Sequence, residues 1–182
     1  MVVAEGEVVM TTDTPSKTQL LTARIALVLL IGLALVGAIW HGLSLDVQRR
    51  VWGDIFNRPG GPMTLRFVLQ PVMATIAALH DGIKDAHRGR TPYLWTILTN
   101  SEKRGGRLQE GLIATSRTIL IGLVMDGIYQ VIVLKTFYPG EAVLVAILLA
   151  FVPYLFLRGT IARIASRTQA NTEAPLRKRE SE

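Results

Sequence analysis

Two acidic residues in one helical segment have the spacing of a polar site. Asp81 and Asp85 lie four residues apart and therefore share a face of a helix, and His80 and His87 lie close to them. Carboxylate oxygens and imidazole nitrogens are ligands of divalent metal ions, so this cluster is the most enzyme-like part of the chain. The alternative is a solvated helix end, where the two carboxylates form surface ion pairs with neighbouring basic residues.

A metal centre at this position would need ligands from other elements, and the chain offers few. His41 is the one other histidine, and there is no cysteine. The sequence contains no His-Glu-x-x-His, no Gly-x-Ser-x-Gly and no phosphate-binding loop. The string from Asp81 to Ala86 resembles the start of the CDP-alcohol phosphotransferase motif, but the downstream glycine and two further aspartates are missing. We therefore assign no metal, no cofactor and no catalytic residue.

Another acidic residue interrupts an apolar run. Asp126 stands in the middle of the stretch from Thr118 to Leu134, which has the composition of a membrane-spanning helix. A carboxylate at that depth costs about 2.5–3.5 kcal/mol, so it must face protein or water and needs a partner or a proton. Gln130 lies one turn further along the same face. Asp126 is therefore expected to make a structural contact, to handle a proton or cation, or to contact a partner subunit.

Further polar residues fall within or beside the apolar segments. Arg117 belongs to the same helix as Asp126, but a separation of nine residues places it on the opposite side, so it is a poor partner. Arg66 comes from another helix and is the better candidate partner if the two depths match. The candidate polar positions inside the membrane are Asp126, Gln130, Arg117, Arg66 and Gln70.

Apolar runs alternate with charged segments along the 182 residues, of which 49% are hydrophobic. A membrane-spanning helix needs about 20 predominantly apolar residues, and the runs predict spans at about 19–42, 63–80, 112–135 and 142–158. The predicted fold is all-α: an integral membrane helical bundle of three or four transmembrane helices with amphipathic interfacial helices. A membrane domain over 19–167 lies between a disordered N-terminal tail, 1–18, and a disordered basic C-terminal tail, 168–182.

The segment from Met63 to Arg88 is one long helical pattern that allows two arrangements. Its polar residues form a stripe at steps of three or four, and Pro71 lies deep enough to kink the helix. Either its first two-thirds cross the membrane with the stripe against another helix, or the whole helix lies in the interface. We favour a crossing or a deep re-entrant burial over the interfacial helix. Residues 43–62, before it, have the spacing of a short surface helix.

The positions of the basic residues indicate the orientation of a chain whose net charge is +6. Lysines and arginines cluster between 84 and 107 and from Arg158 onward, which places both segments in the cytoplasm whether there are three spans or four. The two arrangements differ in the side of the N-terminus. Orientation explains this charge, so we expect no nucleic acid. Candidates to bind anionic lipid headgroups are Lys103, Arg104, Arg107, Arg163 and Arg167.

Several short strings resemble a group of small bacterial membrane proteins that have no assigned activity. They cover roughly residues 60–167 and are Arg66–Pro71, Asp81–Ala86, Ile128–Gln130, Phe137–Ala142 and Pro153–Gly159. The resemblance implies a protein of the bacterial inner membrane and implies nothing about mechanism.

The missing nucleophile sets, metal ligands and cofactor motifs favour a non-catalytic accessory or scaffold subunit of a bacterial inner-membrane complex. Its expected partners are the lipid bilayer and either another membrane protein or a second copy of the chain. Two alternatives remain open. One is a small oligomeric channel or transporter that uses Asp126, and the other is a lipid-modifying membrane enzyme that uses His80, Asp81 and Asp85.

Overall fold

The computed structural model describes residues 14–41, 49, 52–53 and 65–180. Within these ranges the chain forms five helices longer than one turn and no strand, which confirms the all-α prediction. The predicted surface helix at 43–62 falls almost wholly outside the described residues, as does the tail before residue 14. The five are α1 (Lys17–His41), α2 (Leu65–His87), α3 (Tyr93–Thr99), α4 (Ser101–Tyr129 with a π-helical end, Gln130–Leu134) and α5 (Pro139–Ala146, π-helical Ile147–Phe151 and Val152–Glu180).

Three of these helices, α1, α4 and α5, are long and apolar enough to cross a membrane. Their outer faces carry exposed apolar side chains such as Val28 on α1 and Val124 on α4, as a surface inside the hydrocarbon layer requires. The chain is therefore a multi-pass membrane protein. The outer face of α2 is also apolar, since Val68, Val72 and Ile76 are exposed there.

Contacts along the helices fix their relative directions. Thr22 of α1 lies beside Ser116 of α4, with 3.4 Å between the two hydroxyl oxygens. Gly37, further along α1, packs against the backbone of Gly140 at the start of α5. Consequently α1 runs parallel to α4 and antiparallel to α5, and its apolar core with them includes Ala26, Ile119, Leu123, Ala142, Val143, Ala146 and Ala150.

The second helix lies along α5 and runs in the same direction. Phe67, near the start of α2, packs against Leu149, and Gly82, near its end, packs against Ile161. These contacts place the whole length of α2 beside a helix that is long and apolar enough to span the membrane. The packing supports the fourth crossing expected at 63–80, which stays a prediction.

Small residues allow α2 and α5 to approach closely. Ala74, Ala78, Gly82 and Ala86 recur every fourth residue on α2, and all four are buried. A methyl group added at Gly82 would lie 2.9 Å from the Arg158 carbonyl oxygen. Such a small-residue stripe is a common contact surface between membrane helices.

Helix boundaries differ from the predictions in two places. α4 begins at Ser101, well before the predicted span, because the Asn100 side chain caps it by accepting a 3.0 Å hydrogen bond from the Lys103 amide. α5 continues to Glu180, where we expected a disordered tail from 168. Residues 160–174 contain no glycine and no proline, and about half of them are good helix formers, which favours the continuation as far as Pro175. The helix α2 also continues through Pro71.

A local change of helix type accommodates Pro153 in α5. Proline has no backbone N–H and its ring displaces the carbonyl of the preceding turn. Just before it, the Val152 amide donates to the Ile147 carbonyl, five residues back, so the helix widens to a π-turn there. The register that follows turns Tyr154 and Arg158 into the bundle, where both are buried.

Candidate functional site

A buried ion pair joins α2 to α5 at one end of the bundle. The Arg158 guanidinium donates to both Asp85 carboxylate oxygens, from Nε at 2.8 Å and from Nη2 at 3.1 Å. Both residues are almost fully buried, Asp85 at 2% and Arg158 at 3% exposure. Two parallel charge-assisted bonds of this kind fix the planes of both groups, so the pair also sets the rotation of one helix against the other.

Residues from α4 and from the segment before α3 complete the ionic cluster. Arg107 Nη1 lies 3.3 Å from Asp85 Oδ1 and 3.2 Å from Glu110 Oε2, and Glu110 also accepts from Arg158 Nη2 at 2.9 Å. Arg90 reaches the same two acids from outside, at 3.5 Å from Asp85 and 3.3 Å from Glu110. We call these five residues the ionic cluster: Asp85, Arg90, Arg107, Glu110 and Arg158.

Two tyrosines line the inner side of the ionic cluster. Arg158 Nη1 donates to the Tyr154 hydroxyl at 2.7 Å, and that hydroxyl donates to Asp81 Oδ2 at 2.6 Å. The Arg158 guanidinium carbon also lies 4.4 Å from the centre of the Tyr93 ring, a cation–π contact. Tyr93 Oη donates to the Arg107 carbonyl at 2.6 Å. Arg158 thus donates to Tyr154 and stacks on Tyr93, in addition to its bonds to Asp85 and Glu110.

Burial and charge change the acid–base behaviour of two groups beside the cluster. Burial raises the pKa of Tyr93 to about 12, although the positive charge of Arg158 opposes this. The pKa of Lys84 is lowered, first by burial and then by repulsion from Arg88, Arg90 and Arg158. Three arginines therefore lie close enough to the Lys84 ammonium to disfavour its charged form.

The Asp81 and Asp85 carboxylates are held by hydrogen bonds within the bundle. Both Asp85 oxygens accept from Arg158 and Arg107, and Asp81 Oδ2 accepts from Tyr154, so donors from other helices hold both carboxylates in place. A carboxylate held in this way has its charge neutralised and its orientation fixed. The expectation of a solvated helix end is thus wrong for Asp85, which is buried and connects three helices.

The histidines do not join a metal site. His80 and His87 are exposed at the end of α2, and His80 Nδ1 lies 3.4 Å from Asp81 Oδ1. Across the part of the chain that the structure describes, no group of three or more metal-ligating side chains converges. The acids of the predicted cluster instead meet arginines.

Of the five basic residues expected to bind lipid headgroups, Arg107 differs from the expectation, because its side chain is buried. It is 8% exposed and bound to Asp85 and Glu110, so its charge is used inside the bundle rather than at the lipid surface. The physical reason is that Asp85 of α2 packs beside this face of α4 and binds the Arg107 guanidinium. The other four have exposed side chains: Lys103, Arg104, Arg163 and Arg167.

A second polar region, which we call the amide cluster (Gln70, Asp126 and Gln130), lies near the other end of α4. Asp126 is fully buried, and Gln130 Nε2 donates to its Oδ2 at 2.5 Å, as their helical spacing predicts. The Gln130 side-chain oxygen accepts from the Tyr138 amide at 2.6 Å and so fastens the loop between α4 and α5. Asp126 and Arg107 are about 28 Å apart along α4, close to the thickness of the hydrocarbon layer.

Gln70 reaches the same region from α2. Its side chain is 4% exposed and lies against Gly122, one turn before Asp126. Neither its amide nitrogen nor its amide oxygen has a hydrogen-bond partner within the described residues. Because α2 and α4 are antiparallel, the backbone at residue 66 is one turn from Gln70 in the direction of Asp126. The side chain of Arg66 lies outside the described part of the chain, so its pairing with Asp126 stays a prediction.

Arg117 takes no part in either region, because its side chain is exposed on the outer face of α4. Sequence reasoning missed five residues of the site that the structure brings together. Arg158 was counted as the start of a basic tail, although it directly ends the apolar run of α5 and could have been recognised as a buried charge by that position. The other missed residues are Arg90, Glu110, Tyr93 and Tyr154.

In comparisons with protein-family models, curated proteins and solved structures, none matched this chain.

Proposed function

We propose that this protein is a non-catalytic accessory or scaffold subunit of a membrane-protein complex in the bacterial inner membrane. One observation carries the proposal: the acidic residues with enzyme-like spacing are bound by arginines and a tyrosine of other helices. Asp85 bridges α2 to α4 and α5, and Asp81 is held by Tyr154. Groups bound in this way stabilise an arrangement of helices, whereas a catalytic acid or base needs access to a substrate proton.

The exposed surface of α1 supports a role in assembly. Only 22% of the residues in the most apolar stretch of α1 are buried inside the bundle, compared with 44% of those in the corresponding stretch of α5. Large side chains such as Leu21, Val28 and Leu35 are exposed along it. We propose this outer face of α1 as the contact with a partner helix, with lipid covering the remaining helices.

Site-specific photo-crosslinking in living cells tests the proposal. A photoreactive amino acid is placed at Val28 on α1, with Val124 on α4 and the buried Ala26 as matched positions. We expect one adduct of defined mass from Val28 at native expression level, and none from Ala26. Loss of the protein should then lower the abundance of the captured partner. Adducts to lipid alone at Val28, with no dependent partner, would contradict the proposal.

The amide cluster favours a second candidate, a small channel or transporter. The Gln70 amide is buried without a partner in the described chain, and it lies one turn from the buried Asp126. Polar groups left in this state inside a membrane bundle are typical of an ion or proton path. Vesicles containing the purified protein would then show an ion or proton flux that Asp126→Asn abolishes. A flux that this substitution leaves unchanged, or no flux, removes the candidate.

A further inference from the structure

A groove opens on the outer side of the ionic cluster, between the end of α2 and the start of α1. Its volume is about 450 Å³, within the range of small-ligand sites. Gln19 and the residues just before α1 form one wall, and Ile113 and Ala114 of α4 form the inner wall. The groove therefore has charged groups on one side and the first apolar residues of α4 on the other.

The acidic side chains at the floor of the groove already accept hydrogen bonds from neighbouring side chains. Asp85 and Glu110 are the acids there, and both accept hydrogen bonds from Arg158 and Arg107. The third acid of the lining, Asp81, accepts from a tyrosine. These carboxylates therefore repel an incoming anion less than free ones would, because an arginine or a hydroxyl lies within hydrogen-bond distance of each.

Basic side chains lie at the rim. Among the described residues of the lining, four are basic, Lys84, Arg88, Arg90 and Arg158, and three are acidic, Asp81, Asp85 and Glu110. No ion-pair partner of Arg88 is found among the described residues. Burial first, and then repulsion from Arg88, Arg90 and Arg158, lowers the pKa of Lys84. An anion bound between these cations would oppose that repulsion.

We propose that this groove binds a phosphate-bearing anion, with Lys84, Arg88 and Arg90 as the residues that contact the phosphate. The apolar wall at Ile113 and Ala114 favours a phospholipid as the source, because its glycerol and acyl chains can continue along α4 while the phosphate meets the rim. The inference is independent of the partner subunit proposed above. It assigns a role to Arg88, which the ionic cluster does not include.

Thermal unfolding of the purified protein in a neutral detergent tests this site. The probes are phosphatidylglycerol, phosphatidylcholine and glycerol 3-phosphate. We expect phosphatidylglycerol to raise the midpoint of unfolding in a saturable manner and phosphatidylcholine to have little effect. A shift with glycerol 3-phosphate equal to that with the lipid would identify a soluble phosphate ester as the ligand. No shift with either phosphate compound would overturn the proposal.

The variant Lys84→Gln/Arg88→Gln should weaken phosphatidylglycerol binding by about 5-fold per removed cation, or ~30-fold together. The matched control is Arg163→Gln/Arg167→Gln, which removes the same charge from exposed positions outside the groove. Equal weakening in both variants would show general surface attraction and overturn the site. Arg88→Gln alone, at an exposed position, keeps the test valid should the double variant fold poorly.

Discussion

Arg158 and Asp85 form a bidentate ion pair between α5 and α2, with nitrogen–oxygen distances of 2.8 and 3.1 Å. Each residue comes from a different part of the chain, and both are buried. The pair is the centre of a set of contacts that reaches α4 through Arg107 and Glu110. Because a buried charge without its partner is costly, this pair determines which helix arrangements the chain can adopt.

Breaking this pair from one side should destabilise the protein strongly. Arg158→Met removes the bidentate partner of the buried Asp85, and Asp85→Leu removes that of the buried Arg158. We expect each to lower the free energy of unfolding by up to about 3–5 kcal/mol, with the remaining contacts to Arg107 and Glu110 offsetting part of the loss. The double variant should lose much less than the sum, since both charges are then gone. Denaturant unfolding in detergent measures the cycle, with Arg163→Gln as a surface control. Strictly additive losses would show that the two side chains do not interact.

The close approach of α1 to α5 predicts a contrast between two glycines of one helix. A methyl group at Gly37 would lie 2.5 Å from the Gly140 backbone nitrogen, whereas Gly32 has nothing within 4 Å. Gly37→Ala should therefore separate the helices and lower the midpoint of thermal unfolding. Gly32→Ala should be neutral or stabilise by up to about 1 kcal/mol through helix propensity. Similar effects of the two substitutions would contradict this packing.

Tyr93 predicts a loss of stability at alkaline pH. Its pKa is raised from an ordinary 10 to about 12, first by burial, because the neutral phenol is favoured in the folded protein. The stabilisation is complete below pH 10 and is lost as the pH rises through 12, since only the unfolded state ionises in that window. The loss is roughly 2–3 kcal/mol. Unfolding measured from pH 8 to 12 should show a steeper decline for the native protein than for Tyr93→Phe, and equal declines would refute it.

The Gln70 amide has no hydrogen-bond partner among the described residues. Replacing it with an apolar side chain should therefore raise the stability of the protein. Gln70→Leu replaces a buried group that lacks a hydrogen-bond partner in the described chain, so the protein should become more stable, by about 1–3 kcal/mol. The control is Gln130→Leu, which breaks two observed hydrogen bonds and should destabilise. A destabilised Gln70→Leu variant would mean that the amide has a partner, such as an ordered water or ion.

Local patterns were sufficient to predict α1, α2 and the apolar parts of α4 and α5, but not α3. Apolar runs located the three membrane-length helices, and the spacing of Asp126 and Gln130 gave their mutual contact. The polar stripe predicted on α2 is buried in part: Gln70, Ala74 and Asp85 are buried, Ala77 and Asp81 are partly exposed, and Arg88 is exposed. These features depend on helical periodicity, which is present in any short window of sequence.

The ionic cluster could not be predicted in the same way, because its members are far apart in the chain. Asp85 and Arg158 are separated by 73 positions, and nothing local to either indicates the other. The pairing depends on α2 running parallel to α5, a property of the whole bundle. Arg107 was assigned to the lipid surface for the same reason, since its burial follows from the position of Asp85.

Helix directions make a final prediction about topology. The N-terminal end of α1 lies at the groove beside Lys84 and Arg158, on the same side of the bundle as the start of α4. With α2 as a fourth crossing, Thr14, Lys103 and Arg167 should therefore face one side of the membrane, and Lys135 the other. The chain has no cysteine, so single-cysteine variants can be labelled without background.

A membrane-impermeant maleimide applied to intact spheroplasts measures this arrangement. We expect labelling of Lys135→Cys before lysis, and labelling of Thr14→Cys, Lys103→Cys and Arg167→Cys only after lysis, because the basic segments favour the cytoplasm. If Thr14→Cys instead labels together with Lys135→Cys, α2 lies in the interface and only three helices cross. That outcome would also separate α1 from the groove, since its N-terminus could not then lie beside Lys84.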